Sequence, residues 1–267
     1  MGGFPKTNYE KDSASIYCGG NKYDRTLLRL SNKKEFVDSP AGWENLIGFQ
    51  RGQVAMLEFY KTIEKGVFKT EYTEKKSTFI ASVSCVENEA EALMFINAIK
   101  TKYPDARHNC YAYSLYNAGV ARKRYSDDGE PKGTAGMPIL EVIDMMGLTN
   151  VCVVVTRYFG GILLGASGLT RAYSNTAALG LKVPKILTME RAKELTLKFR
   201  YDLYGRVLKV FDNYKMIKET PRFADAVTVK VIVKKDEAER FLENIRESTS
   251  GNFEVESGTE GFYNIEG

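Results

Sequence analysis

The stretch that decides the fold is residues 151–173, VCVVVTRYFGGILLGASGLTRAY. Its first half is a β-branched run too apolar for a sheet edge, and it predicts a buried central strand. The double glycine Gly160-Gly161 turns the chain. Gly165 and Gly168 then open a helix that continues through SGLTRAYSNTAALG and closes at Gly180 and Pro184. A strand, a glycine turn and a helix, with Arg157 at the strand end and Arg171 on the helix, could receive a phosphate group. The plainer alternative is that Gly160 and Gly161 only supply positive φ.

Upstream, VFKTEY alternates and STFIASVSCV follows a Lys-Lys turn, which predicts a hairpin. Asn88 is a candidate N-cap for EAEALMFINAIKTKY, whose Leu93, Phe95, Ile96 and Ile99 have helical spacing. NCYAYSLY and VARKRYS read as two strands joined at residues 117–119, and a helix spans about Ala135–Met146. Downstream come strand ELTLKFRYDL, helix YGRVLKVFDNY, strands MIKETPRF and AVTVKVIVKK, helix DEAERFLENIREST with Asp236 as its expected cap, and strand NFEVES. The order βαββαβ is the split-βαβ, ferredoxin-like layout. The expected class is α+β in three pieces: an irregular extension over 1–56, an α/β domain over 57–184 and a ferredoxin-like domain over 185–267. Gln50-Arg51-Gly52 can be encoded by a purine run like a bacterial ribosome-binding sequence, and Met56 follows at a suitable distance. Residues 1–55 are therefore expected to be a translated leader.

With 267 residues, 43% hydrophobic and 27% charged, the chain is neither disordered throughout nor fibrous. It has no run near the roughly 20 apolar residues of a membrane span, and its start lacks a signal-peptide core, so a cytoplasmic location is expected. Its 4 cysteines stand far apart without a CxxC pair, which argues against a zinc knuckle or a disulfide framework. One histidine, His108, excludes any His-rich metal centre. Net charge is +4. Residues 100–190 hold 11 basic against 7 acidic residues, whereas 191–267 are balanced at 14 of each.

The candidate chemistry lies in YSDDGEPKGTAGMPIL, residues 125–140. Asp127, Asp128 and Glu130 could form a hard-cation site, or simply an Asp-Gly turn. Lys132, Gly133 and Thr134 precede a helix whose exposed amides could hold an anion, or Thr134 could cap that helix. His108, oriented by Asp127 or Asp128, could act as a base toward Ser126 or Thr134. Cys110 would share its strand face. Arg122 and Arg124 would share a face of one strand, with Tyr111, Tyr113 and Tyr125 in the same hairpin. Such a surface could engage single-stranded RNA, or be a charged edge that resists aggregation.

ARHNCYAY (106–113), YSDDGEPKGTAGMPIL and VVVTRYFGGILLGASGL resemble the YigZ/IMPACT family in its bacterial two-domain form, from about Leu57 onward. One departure is Ser167, where the family commonly has glycine. The resemblance implies a first domain similar to domain IV of elongation factor G, a ferredoxin-like second domain, and a cytoplasmic role linked to translation. The expected function is a non-enzymatic binding protein that engages RNA, the ribosome or a translation-associated protein. Its expected ligand-binding residues are Arg107, His108, Arg122, Arg124, Lys132, Gly133, Thr134, Arg157, Gly160, Gly161 and Arg171, with no cofactor. Two alternatives stand beside it. One is a metal-dependent hydrolase using Asp127, Asp128, Glu130 and His108, and the other is a protein–protein adaptor.

Overall fold

The computed structural model describes residues 57–117 and 119–266. The expected leader, Cys18 and the 1–56 extension lie outside them. The first sheet has five strands: β2 (Val67–Glu74), β3 (Ser77–Cys85), β4 (His108–Asn117), β5 (Val120–Ser126) and β6 (Val151–Tyr158), in the order β2-β3-β6-β4-β5. Every pairing is antiparallel. Helix α1 (Glu89–Lys102) covers one face, and α2 (Gly136–Met145) with α3 (Gly165–Leu181) covers the other.

Strand periodicity explains why β6 is apolar on both faces. Val151, Val153 and Val155 enter the core beneath α2 and α3, while Cys152 and Val154 enter the core beneath α1. The buried-strand expectation therefore holds. Asn88 also caps α1 as its sequence suggests: its Oδ1 accepts from the Glu91 amide at 2.9 Å, and Glu91 Oε1 accepts from Asn88 Nδ2 at 2.7 Å.

The second sheet contains β7 (Ile186–Phe199), β8 (Met216–Lys218), β9 (Arg222–Phe223), β10 (Val227–Lys234) and β11 (Phe253–Tyr263). Its helices are α4 (Tyr204–Phe211) and α5 (Ala238–Thr249). β7 lies between β10 and β11, and β10 between β7 and β8. This is the ferredoxin-like arrangement reached from the βαββαβ order. Leu195, Leu197 and Phe199 of β7 and Val227, Val229, Val231 and Val233 of β10 share a core with α4 and α5.

Three local expectations change. The expected single strand MIKETPRF splits into β8 and β9 around Pro221, which has no amide to donate. The strand expected over 194–203 begins eight residues earlier and ends at Phe199, before a 3₁₀ turn at Tyr201–Leu203. Asp236 does not cap α5: Glu237 occupies that position without a side-chain cap, after a turn in which its amide donates to the Lys234 carbonyl. One strand falls outside those expectations: β1 (Phe59–Ile63) precedes the first sheet in sequence and pairs antiparallel with β7 of the second. Glu190 pairs with Phe59 on one side and Tyr263 on the other, so β1 lies along the β7 edge opposite β11. Hydrogen bonding thus crosses the division expected at residue 184.

Candidate functional site

The register places four connections at one end of the first sheet. Thr78 pairs with Tyr158, His108 with Arg157, and Tyr111 with Ser126. The Lys75-Lys76 turn, the loop before β4, the 127–135 loop and the 159–164 loop therefore meet there.

The 127–135 loop is closed by its own carboxylates. Asp127 Oδ2 accepts from the Gly133 amide at 2.8 Å, and its Oδ1 accepts from Ala135 at 3.1 Å and Gly136 at 2.8 Å. These are the amides expected to hold an external anion. A carboxylate from the same chain already satisfies them and complements the α2 N-terminus. Nor does Thr134 cap α2, since its hydroxyl donates to the Pro131 carbonyl at 2.7 Å. Asp128 Oδ1 receives Lys100 Nζ at 2.8 Å, and its Oδ2 accepts from the Asn109 amide at 2.7 Å.

Glu130 points inward. Its Oε1 accepts from Arg157 at 2.7 Å and from the Tyr173 hydroxyl at 2.8 Å, and both charged side chains are buried. The Arg157 guanidinium also lies over the Phe79 and Phe159 rings, at 5.4 and 5.6 Å. Cys110 Sγ lies 2.9 Å from the Asp127 carbonyl and 3.3 Å from Tyr173 Oη. Burial pushes the Cys110 thiol up, and burial together with Cys110 and Glu130 pushes the Tyr173 hydroxyl up, so both stay protonated.

His108 Nδ1 lies 2.9 Å from the Asp128 carbonyl. A carbonyl only accepts, so Nδ1 carries the proton. Its partner is backbone rather than either expected carboxylate. The two candidate nucleophiles are engaged as well, Ser126 Oγ accepting from the Asp128 amide at 3.2 Å and Thr134 as above. The carboxylates of Asp127, Asp128 and Glu130 face three different sets of partners and form no shared ligand set. Among the described residues no group of three or more His, Cys, Asp or Glu side chains could hold a metal ion.

The expected basic residues divide. Arg107 and Lys132 are exposed at the loop-bearing sheet end, on the loop before β4 and the 127–135 loop. Arg157 is at that end but buried, committed to Glu130. Arg171 is exposed on α3, with its charge felt by Tyr72 of β2. Arg122 and Arg124 pair with Leu115 and Tyr113, so they face the α1 side. Arg122 lies toward the opposite sheet end, where Glu89 is 3.8 Å away, beside a cavity of about 270 Å³ that also involves Asn88 and Asn117. Tyr111 and Tyr113 stack on that face, whereas Tyr125 pairs with Ala112 on the other. The structure does not collect the expected set into one concavity.

The two glycines of the second loop do different work. A Cβ on Gly160 would stand 1.9 Å from the Lys76 carbonyl oxygen, so its role is close backbone approach. Gly161 supplies the positive φ, at 83°. Sequence reasoning overlooked what this loop displays. Leu164 is buried, but Phe159, Ile162 and Leu163 are 51%, 41% and 84% exposed. The available signal was a run of three aliphatic residues in a glycine loop that no periodicity assigns to a core.

Residues 75–181 match the Impact N-terminal domain. The IMPACT family member YvyE of Bacillus subtilis is 35% identical over 203 residues, covering 76% of this chain and 93% of that protein. An IMPACT family member of Haemophilus influenzae is 34% identical over 212 residues, covering 75% and 97%. A crystal structure of a hypothetical protein aligns over 75% of this chain and 97% of its own at 26% identity, with a TM-score of 0.49. Identity at this level, spread over nearly the full length of such relatives, means that the chain belongs to the IMPACT family.

Proposed function

We propose that this chain is a non-catalytic, cytoplasmic binding protein linked to translation. It engages the ribosome or a ribosome-associated partner through the loop-bearing end of its first sheet. The observation that carries this reading is a division of labour at that end. Asp127, Asp128, Glu130, Cys110, Ser126 and Thr134 are tied into the fold. Lys75, Lys76, Arg107 and Lys132 are exposed there, without a carboxylate partner among the described residues. Internal bonds hold the loops rigid, and the unpaired cations are left to attract an anionic surface. Membership of the IMPACT family supports the link to translation.

Co-sedimentation with purified ribosomes over a salt series tests it. Association should weaken as salt rises and fall at least tenfold for Lys75→Ala/Lys76→Ala/Lys132→Ala. It should change little for Arg122→Ala/Arg124→Ala, which alters the other face. A lack of association at low salt, or equal losses from both variants, would refute this reading.

A further inference from the structure

The 159–164 loop is costly to display unless something covers it. Phe159, Ile162 and Leu163 expose large apolar side chains within five residues, while Leu164 is anchored in the core beneath α3. The backbone is held in place: the Gly160 amide donates to Ser77 Oγ at 3.2 Å, and Gly160 lies against the Lys76 carbonyl. Beside it, Lys75 and Lys76 both have left-handed backbone, with φ of 44° and 66°. Asn or Gly fits those hairpin positions without strain, whereas two lysines adopt them at a cost. The strain presents two cations next to an apolar projection.

The charges around the loop favour an acidic occupant. Asp128 is neutralised by Lys100, and Glu130 by Arg157. Asp127 is absorbed by backbone amides. Glu74 and Asp105 are the acidic side chains there without a cationic partner among the described residues; each accepts from a tyrosine hydroxyl. They are outnumbered by Lys75, Lys76, Arg107 and Lys132. Nucleic acid is also anionic, but Ile162 and Leu163 offer bases no stacking face, and the Phe159 ring is partly occupied by Arg157.

We infer that Phe159, Ile162 and Leu163 insert into an apolar recess on a protein partner, while Lys75, Lys76 and Lys132 meet carboxylates around its rim. This rests on the reading of that sheet end as the binding face, and it specifies the partner as protein with acidic chemistry. A rigid apolar anchor ringed by complementary charge is the arrangement that concentrates binding energy in a few side chains.

The probe is a synthetic amphipathic peptide, Leu and Phe on one helical face and Glu on the other, titrated into the full chain. Amide NMR shifts should cluster at residues 75–77, 132–134 and 159–165. A peptide of the same composition with scrambled faces should not cause them. Leu163→Ser should lower affinity at least tenfold without lowering the melting temperature. Lys75→Asn/Lys76→Gly should weaken binding while raising the melting temperature, which a purely structural role for the turn would not produce. Failure of the peptide to bind, shifts elsewhere, or loop shifts elicited instead by oligouridylate or by phosphatidylglycerol vesicles would overturn the inference. Peptide binding without ribosome co-sedimentation would sink the translation reading and leave this one standing; the reverse would do the opposite.

Discussion

Glu130 and Arg157 show how much depends on where one charged side chain ends up. Their side chains are 4% and 7% exposed and 2.7 Å apart, so removing either partner strands a buried charge. Arg157→Met or Glu130→Ala should each cost about 3–5 kcal/mol in urea unfolding. The double variant Glu130→Leu/Arg157→Met should recover most of that loss, because apolar replacement of both partners leaves no charge uncompensated. The network also has a pH signature. Cys110 is held protonated by burial, so above the unfolded thiol pKa of about 8.5 the folded state binds more protons than the unfolded one. Stability should therefore be complete below that pH and decline as pH rises above it. Cys110→Ala should lessen the decline, with the buried Cys152 thiol, also pushed up by burial, supplying part of what remains; melting temperatures across an alkaline series would show it. Neither effect is legible in sequence: Arg157 and Glu130 are 27 residues apart, and Glu130 and Tyr173 are 43 apart.

Elements differ in how local their determinants are. The α1 cap is readable because Asn88 and Glu91 lie within one turn of each other. The α2 cap is not, because Asp127 reaches forward to the amides of Ala135 and Gly136 across a folded loop. Asp127→Ala should destabilise by about 1–2 kcal/mol, and Asp127→Asn by less, since the amide oxygen still accepts. Urea midpoints would separate the two. The glycine loop makes a parallel contrast. Gly160→Ala places a methyl group against the Lys76 carbonyl and should cost about 3 kcal/mol or more, because the backbone has to move. Gly161→Ala meets no neighbour within 4 Å and should cost only the left-handed strain of about 1–2 kcal/mol. An equal loss at both positions would contradict the close-approach explanation.

Across the whole molecule, β1 ties the two sheets together. It pairs with β7, while the Thr149 amide donates to the Lys61 carbonyl and Thr62 Oγ1 donates to the Asn150 carbonyl. Tyr60 contacts Phe262 of β11 and Tyr116 of β4, with ring centroids 4.9 and 6.3 Å apart. Thr62→Pro removes an amide donor and this hydroxyl bridge together. Calorimetry should then resolve two unfolding transitions where the parent chain shows one; a single transition for the variant would mean that β1 does not couple the sheets.

The amino-acid sequence alone settled what depends on near neighbours. The alternation of β2, the doubly apolar β6, the Asn88 cap and the βαββαβ order all follow from side-chain patterns within single elements. Tertiary structure decided the rest. It buried Arg157, turned Asp127 into the anion at the α2 N-terminus, drew β1 to the second sheet and left Leu163 in solvent. Each of these outcomes is a competition between partners distant in the chain, and pairing and desolvation take effect only once folding has brought those partners together.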